Sequence, residues 1–378
     1  MWYNKFFKFD WVLILASLLL LFIGLLALYS ISTSESSGNT DIFNKQLVFS
    51  IIGIAIMFLF SFIDYRYFRS HSRLIYFLML FILLMVLFLG TISRGTVGWL
   101  SFGSIHIQPV ELAKVLLILS LASFITKSKL ILSEVTRIIV VIFLSGASVF
   151  LVLQQPDFGS ALVLVAISAV MLLLSGIEWR YLLIMFFLGL MVSVGGWFFL
   201  ANYQKERLIN FINPGNDPQG SGYNVIQSMI AVGSGGVSGK GLGHGSQSQL
   251  RFLPENHTDF IFAVIVEEFG ALGAGIVLFL MLIIFYRMKK IAEKTADNFG
   301  YLIIIGAMTM FFAQITINIG MNMGIMPVTG IPLIFLSYGG SSLISAFIII
   351  GIINNIFIVG KKNAETKINI FDEQGIDF

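Results

Sequence analysis

Residues 11–31 read WVLILASLLLLFIGLLALYSI, a run without a single charged side chain. At 1.5 Å rise per residue such a run spans the roughly 30 Å hydrocarbon core of a bilayer as a helix. It is too long for the apolar region of a cleaved signal peptide, and no small-residue cleavage site follows it, so it reads as a retained signal anchor. Nine further apolar segments extend the pattern: roughly 46–63, 74–92, 109–126, 138–155, 160–176, 181–201, 259–286, 301–321 and 331–359. Pro327, Gly330 and Pro332 interrupt the start of the last, which is expected to begin as a broken or re-entrant piece. Composition agrees: 57% of the 378 residues are hydrophobic and 11% are charged, with mean hydropathy +0.92. A soluble domain carries about 25% charged residues. The expected fold is an all-α integral membrane protein of about ten transmembrane helices, since lipid offers the backbone no hydrogen-bond partner.

The domain expectation is one polytopic membrane unit over 1–360, an extracytoplasmic loop at 202–258 between the seventh and eighth helices, and a short polar cytoplasmic tail at 361–378. Of the 23 Lys and Arg residues, 16 fall on one set of alternating helix ends and six on the other. The basic side faces the cytoplasm, which places both termini there and the long loop outside. No internal repeat supports an inverted-repeat transporter. The chain has no cysteine, so disulfides and thiolate metal sites are excluded. Its four histidines form no HExxH pair, and a net charge of +3 gives no reason to expect a nucleic-acid partner.

The outward loop carries the unusual chemistry. Asn213-Pro214 and Asp217-Pro218 start turns, and residues 232–245, VGSGGVSGKGLGHG, hold seven glycines in fourteen positions. A P-loop fails here, because with Gly239-Lys240 as its G-K pair the first position is Ser234 and the last Gly241. Two readings stay open: backbone N–H groups approaching a phosphate, or a permissive turn. Apolar Ile226, Met229 and Ile230 suggest a short amphipathic helix on the outer bilayer surface, with Gln227 and Ser228 on its wet side.

Charges inside or at the ends of the spans are the candidate site residues, because such groups are costly in lipid. Glu111 and Lys114 share a helix face at the outer end of the fourth span, where they either neutralise each other or grip a ligand. Asp157 sits in the outward turn QQPDFG, residues 154–159, where a helix-capping carboxylate is equally natural. Glu267 and Glu268 lie about two turns into the eighth span and read as structural. Asp259 opens that span just after His257, with Arg207, Lys240 and Arg251 from the same loop and Arg94 from a neighbouring one. A carboxylate beside a basic cleft at the lipid surface suits chemistry on a phosphate-linked lipid. His257 reads as a hydrogen-bonding neighbour of Asp259 or a member of a metal site.

The run from Asn213 to Gly270, together with PVTGIPLIFLSYGGSS (327–342), QPVELAK (108–114) and QPDFGSA (155–161), resembles the SEDS family of shape, elongation, division and sporulation proteins over nearly the whole chain. GSQSQLRFLPENHTDF (245–260) and PVTGIPL (327–333) look more like its elongation branch than its division branch. The resemblance implies a peptidoglycan glycosyltransferase at the outer face of the bacterial inner membrane. It would polymerise lipid II into β-1,4 glycan strands, alongside a class B penicillin-binding protein. It implies that Asp259 is the essential acid, that Glu111, Lys114 and Asp157 are motif residues, and that Trp99 is the important tryptophan of the loop after the third span. Gly98 stands where the family commonly has a basic residue, Val110 replaces a common serine, and Ile334 a common proline.

The reaction fits one carboxylate. The lipid pyrophosphate is already a good leaving group, so the transfer needs a base on the attacking 4-hydroxyl, a role for Asp259. Charge building on the pyrophosphate needs Arg, Lys or a divalent cation such as Mg or Mn, with Arg207, Lys240 and Arg251 as candidates. Alternative classes are a lipid II flippase or transporter, and a non-catalytic scaffold for a penicillin-binding protein. Gly270, Ala271, Gly273, Ala274 and Gly275 permit close helix contact, internally or with such a partner.

Overall fold

The computed structural model describes residues 8–33, 40–93, 96–103, 105–181, 221–250 and 252–373, with isolated positions between 183 and 211. Among them α1 (Trp11–Ser32) and α2 (Asp41–Phe62) form an antiparallel pair, followed by the short α3 (Arg66–Ser70) and α4 (Ser72–Leu89). Next come β1 (Thr91–Ser93), β2 (Thr96–Phe102) and β3 (Ile105–Ile107), then α5 (Pro109–Ser128), α6 (Glu134–Gln154) and α7 (Phe158–Leu173). After the seventh expected span, which lies outside the described residues save for isolated positions, follow α8 (Ser221–Ser234), α9 (Ser246–Gln249), α10 (Ile261–Lys294), α11 (Asn298–Asn322) and α12 (Gly340–Glu373). Eight of these helices are long and apolar enough to cross a membrane, and the 16-residue α7 is a shorter apolar one. The protein is a helical membrane protein.

Local chemistry sets the helix ends. Asp10 caps α1 by accepting from Leu13 N, Ser133 caps α6, Asp157 caps α7, and Pro109 occupies the first turn of α5, where a missing N–H costs nothing. Burial sorts the helices. In α5 and α12, 78% of the membrane-length window is buried, against 22% in α4 and 28% in α2. The first two are therefore the axis of the bundle, and the others carry its lipid-facing belt through side chains such as Ile51, Phe77 and Phe81. α2 packs along α12 closely enough that a Cβ on Gly351 would lie 2.5 Å from the Met57 carbonyl.

Several expectations need correction. The segment after α4 is a small antiparallel sheet in the order β1-β2-β3, with Leu100 opposite Ile107 and Ser101 opposite His106; short threonine- and valine-containing stretches paired locally where only a loop was read. The last helix starts at Gly340, because residues 323–339 are non-helical around Pro327, Gly330 and Pro332. It then continues beyond 360 to Glu373, so the start of the tail is helical. The eighth span runs on to Lys294 and is broken at Gly270. The loop helix α8 does not present Ser228 to water: that hydroxyl is buried and donates to the Asn322 carbonyl at 2.9 Å.

Candidate active site

Asp259 lies in the turn that precedes α10, its N–H donating to the Glu255 carbonyl at 3.2 Å. Three successive carbonyls of this turn are held from outside. His257 O accepts from Tyr338 N at 2.8 Å. Thr258 O accepts from the Ser337 hydroxyl at 2.6 Å. Asp259 O accepts from Asn318 Nδ2 at 3.0 Å and Asn322 Nδ2 at 2.9 Å. Asn322 Oδ1 also accepts from Ala263 N, satisfying one of the free N–H groups of the first turn of α10. Asn318 Nδ2 further donates to Ile331 O at 2.8 Å, joining the non-helical segment to the same anchor. That segment is rigidly packed: Phe335 sits at φ +66° with its ring against Phe311 and Phe347. A bulky residue tolerates this conformation only where its surroundings impose it.

The Asp259 side chain is half-buried and adjoins the exposed turn at Gly330, φ +77°, where an added Cβ would be 3.7 Å from Oδ2. Residues 329–331 in turn lie on the start of α7, so close that a Cβ on Gly159 would fall 2.9 Å from Ile331 Cγ1 and 3.0 Å from Thr329 Cβ. There Asp157 Oδ1 accepts from Ser160 N at 2.9 Å and Oδ2 from Gln108 Nε2 at 3.4 Å. Burial pushes the Asp157 carboxyl above the usual carboxylate range, opposed by the Ser160 hydrogen bonds and the nearby Lys114 charge. One helical turn into α5, fully buried Lys114 donates to Glu111 at 2.7 Å, and Gln314 Nε2 donates to the other Glu111 oxygen at 3.3 Å.

Asp259, Asp157, Glu111 and Lys114 therefore gather at one end of the bundle. The residues that join them are Gln314, Asn318 and Asn322, a buried polar stripe at four-residue spacing along α11. Its upper members hold Asp259 and its lower member holds Glu111. Sequence reading overlooked the stripe because it weighed charges. Buried amides repeating every four residues in an apolar helix were the available signal.

The other candidates are placed differently. The His257 ring lies tilted against Tyr338, centroids 5.8 Å apart, with Nε2 3.8 Å from Glu255 Oε2. Trp99 stands half-buried on β2, which packs against α5, and its carbonyl accepts from the Thr91 hydroxyl. Lys240 is engaged: its ammonium donates to Glu267 Oε1 and to the Ser246 hydroxyl, both at 2.9 Å. Arg94, Arg207 and Arg251 lie outside the described residues. Among the described residues no three His, Asp or Glu side chains converge as a metal cage.

The glycine run has a definite task. At Gly270 the backbone leaves the helix (φ 69°, ψ −166°), which breaks the bonds that residues 271 and 272 would donate to residues 267 and 268. All four stranded groups are satisfied by the run. Lys240 N donates to Glu267 O and Gly241 N to Glu268 O, both at 3.0 Å, while Ala271 N donates to Gly236 O at 2.9 Å and Leu272 N to Val237 O at 3.1 Å. The approach is so close that a Cβ on Gly239 would fall 2.1 Å from Glu268 O. The glycines thus let one backbone lie on another, at the helix break. Both acids at the break support the same strap: Glu267 accepts from Gln247 N and Ser248 N, and Glu268 from Ser30 and Gln249. Gly270 is used internally, whereas Gly275 opens onto free space.

The chain has clear relatives. The model of the cell cycle proteins FtsW, RodA and SpoVE matches residues 10–362. Stage V sporulation protein E of Bacillus subtilis is 36% identical over 92% of this chain and 96% of its own. Peptidoglycan glycosyltransferase MrdB of Escherichia coli is 38% identical over 90% and 92%, respectively. A chain from a peptidoglycan synthase complex, described as coordinating polymerization and crosslinking, superposes with a TM-score of 0.78 at 30% identity, covering 94% of this chain and 98% of that one. The chain belongs to the FtsW/RodA/SpoVE family.

Proposed function

We propose that this chain is a peptidoglycan glycosyltransferase that polymerises lipid II, with Asp259 as general base. The observation that carries the reading is the fixing of the Asp259 carbonyl by Asn318 and Asn322 while its carboxylate borders the exposed turn at Gly330. In this reading the carboxylate takes the proton from the 4-hydroxyl of the acceptor sugar. That oxygen then forms the new β-1,4 bond as the donor's bond to the lipid pyrophosphate breaks. A positioned base contributes about 10²–10⁴ in rate. Charge on the departing pyrophosphate falls to Arg207, Arg251 or Arg94, since Lys240 is bound to Glu267.

The bundle end that carries Asp259 is read as the outer face of the bacterial inner membrane, with loop 202–258 on that side and both termini in the cytoplasm, following the Lys and Arg bias. A class B penicillin-binding protein is the partner, in keeping with the synthase complex among the structural relatives. Within the family the elongation, RodA-like branch is favoured by residues 245–260 and 327–333. If Mg²⁺ takes part, Asp259 is the described carboxylate that would hold it beside the substrate's phosphate oxygens, since among the described residues no three His, Asp or Glu side chains converge.

The buried Glu111–Lys114 pair is internally neutralised, held by Gln314 and sealed from water, which argues against an open polar transport path through the bundle. The test is lipid II polymerisation by the purified chain with its class B partner, comparing wild type with Asp259→Asn. Loss of glycan strands with insertion and partner binding intact is expected; unchanged strand formation rejects Asp259 as the base.

A further inference from the structure

The bundle end remote from Asp259 holds a buried cation for which the described residues supply no acceptor. Arg137 lies one turn into α6, on the stripe with Val141, Ser145, Ser148 and Val152 that faces the bundle, and is 3% exposed. Its Nε is sealed from solvent with no hydrogen-bond partner, and among the described residues no carboxylate pairs with the guanidinium. An uncompensated buried charge is strongly unfavourable, so a counter-ion is required.

Among the described residues, the acids nearby are taken. Glu134 accepts from Glu178 N at 3.0 Å, Glu178 pairs with Arg180 at 2.7 Å, and Asp297 serves Arg69 and the Tyr65 hydroxyl. More unpaired positive charge collects at this corner. Lys127, at the end of α5, is within electrostatic range of Arg73 and among the described residues donates to Arg69 O and Ser72 Oγ alone. Lys129 reaches Gly176, in the segment after α7 that Glu134 also contacts.

We propose that Arg137, with Arg73, Lys127 and Lys129, binds the phosphate of an anionic glycerophospholipid in the inner leaflet. The guanidinium fork matches a phosphate's oxygens, and basic recesses between transmembrane helices on the cytoplasmic side suit such headgroups. Only the side of the membrane rests on the function proposed above.

The test uses the full chain in nanodiscs of phosphatidylglycerol or of phosphatidylcholine, read by native mass spectrometry after extraction and by thermal unfolding. Wild type is expected to retain phosphatidylglycerol and to melt higher in it. Arg137→Met is expected to lose the retained lipid and most of that difference, while Lys289→Gln, which removes an exposed cation paired with Glu293, keeps both. Added inorganic phosphate in phosphatidylcholine discs is expected to change nothing. Wild type without retained phosphatidylglycerol overturns the proposal whether or not the variant folds. So does an equal loss of stability by Arg137→Met in both lipids, or full stabilisation by free phosphate. None of these readouts involves strand formation, so this site and the Asp259 mechanism fail separately.

Discussion

Asn318 donates through one nitrogen to the carbonyl of Asp259 at 3.0 Å while that same nitrogen donates to Ile331 at 2.8 Å. A fully buried amide therefore sets the distance between the acid and the segment across from it. Asn318→Ala leaves the Asp259 carbonyl to Asn322 alone and strands the buried Ile331 carbonyl, at a cost of about 1–3 kcal/mol. Its expected signature is a fall in kcat for lipid II polymerisation with little change in KM, because the side chain touches the base and not the substrate. A rise in KM alone would count against this role.

Gly239 and Gly241 both have positive φ, 77° and 96°, but different surroundings. A Cβ at 239 collides with Glu268 O, whereas at 241 it meets nothing within 4 Å. Gly241→Ala should cost only the left-handed backbone penalty of about 1–2 kcal/mol. Gly239→Ala should lower the melting temperature far more, since the strap must lift from the helix break. Equal shifts in detergent melting curves would contradict the strap.

Lys240 was a candidate for pyrophosphate by its place in the loop, yet its ammonium bonds Glu267. Lys240→Ala should reduce stability by about 1–2 kcal/mol, less than a fully buried pair because the lysine is partly exposed. KM for lipid II should stay put. A large rise in KM without destabilisation would return Lys240 to the substrate.

Asp157 is held by burial above the ordinary carboxylate pKa of about 3.9. A raised native value means that the neutral form is the favoured one in the fold. Stability from this group is full below the unfolded value and declines as pH rises through the raised native value. Asp157→Asn keeps a carbonyl oxygen to accept from Ser160 N and should flatten that part of the pH–melting profile. Asp157→Ala should instead lose the cap, at about 1 kcal/mol.

How much of this was readable beforehand depended on the kind of signal. Apolar runs located eight helices long enough to cross a membrane and the shorter apolar α7, because bilayer thickness imposes one length on every crossing; the seventh expected span lies outside the described residues save for isolated positions. Glu111, Lys114, Asp157 and Asp259 were visible as charges at span ends, and they do converge. What stayed hidden was set by the chain's return on itself. The pairing of Thr91 with Trp99, the amide stripe on α11 and the partners of Lys240 all depend on contacts distant in sequence. The glycine run looked like a loop because nothing local reveals that its backbone lies against residues 267–272.

The interruption at Gly270 also separates α10 into parts with independent rotational phase. In an unbroken helix, adding one residue below that point would swing everything beyond it by about 100°. Here the strap clasps the chain on both sides of the gap, so such an insertion between 276 and 290 would be absorbed by the distal portion. Residues 259–268 would keep their heading, while the buried stripe of Val277, Leu280, Ile284 and Met288 and the Arg287–Asp10 pair would bear the misfit without re-aiming the acid.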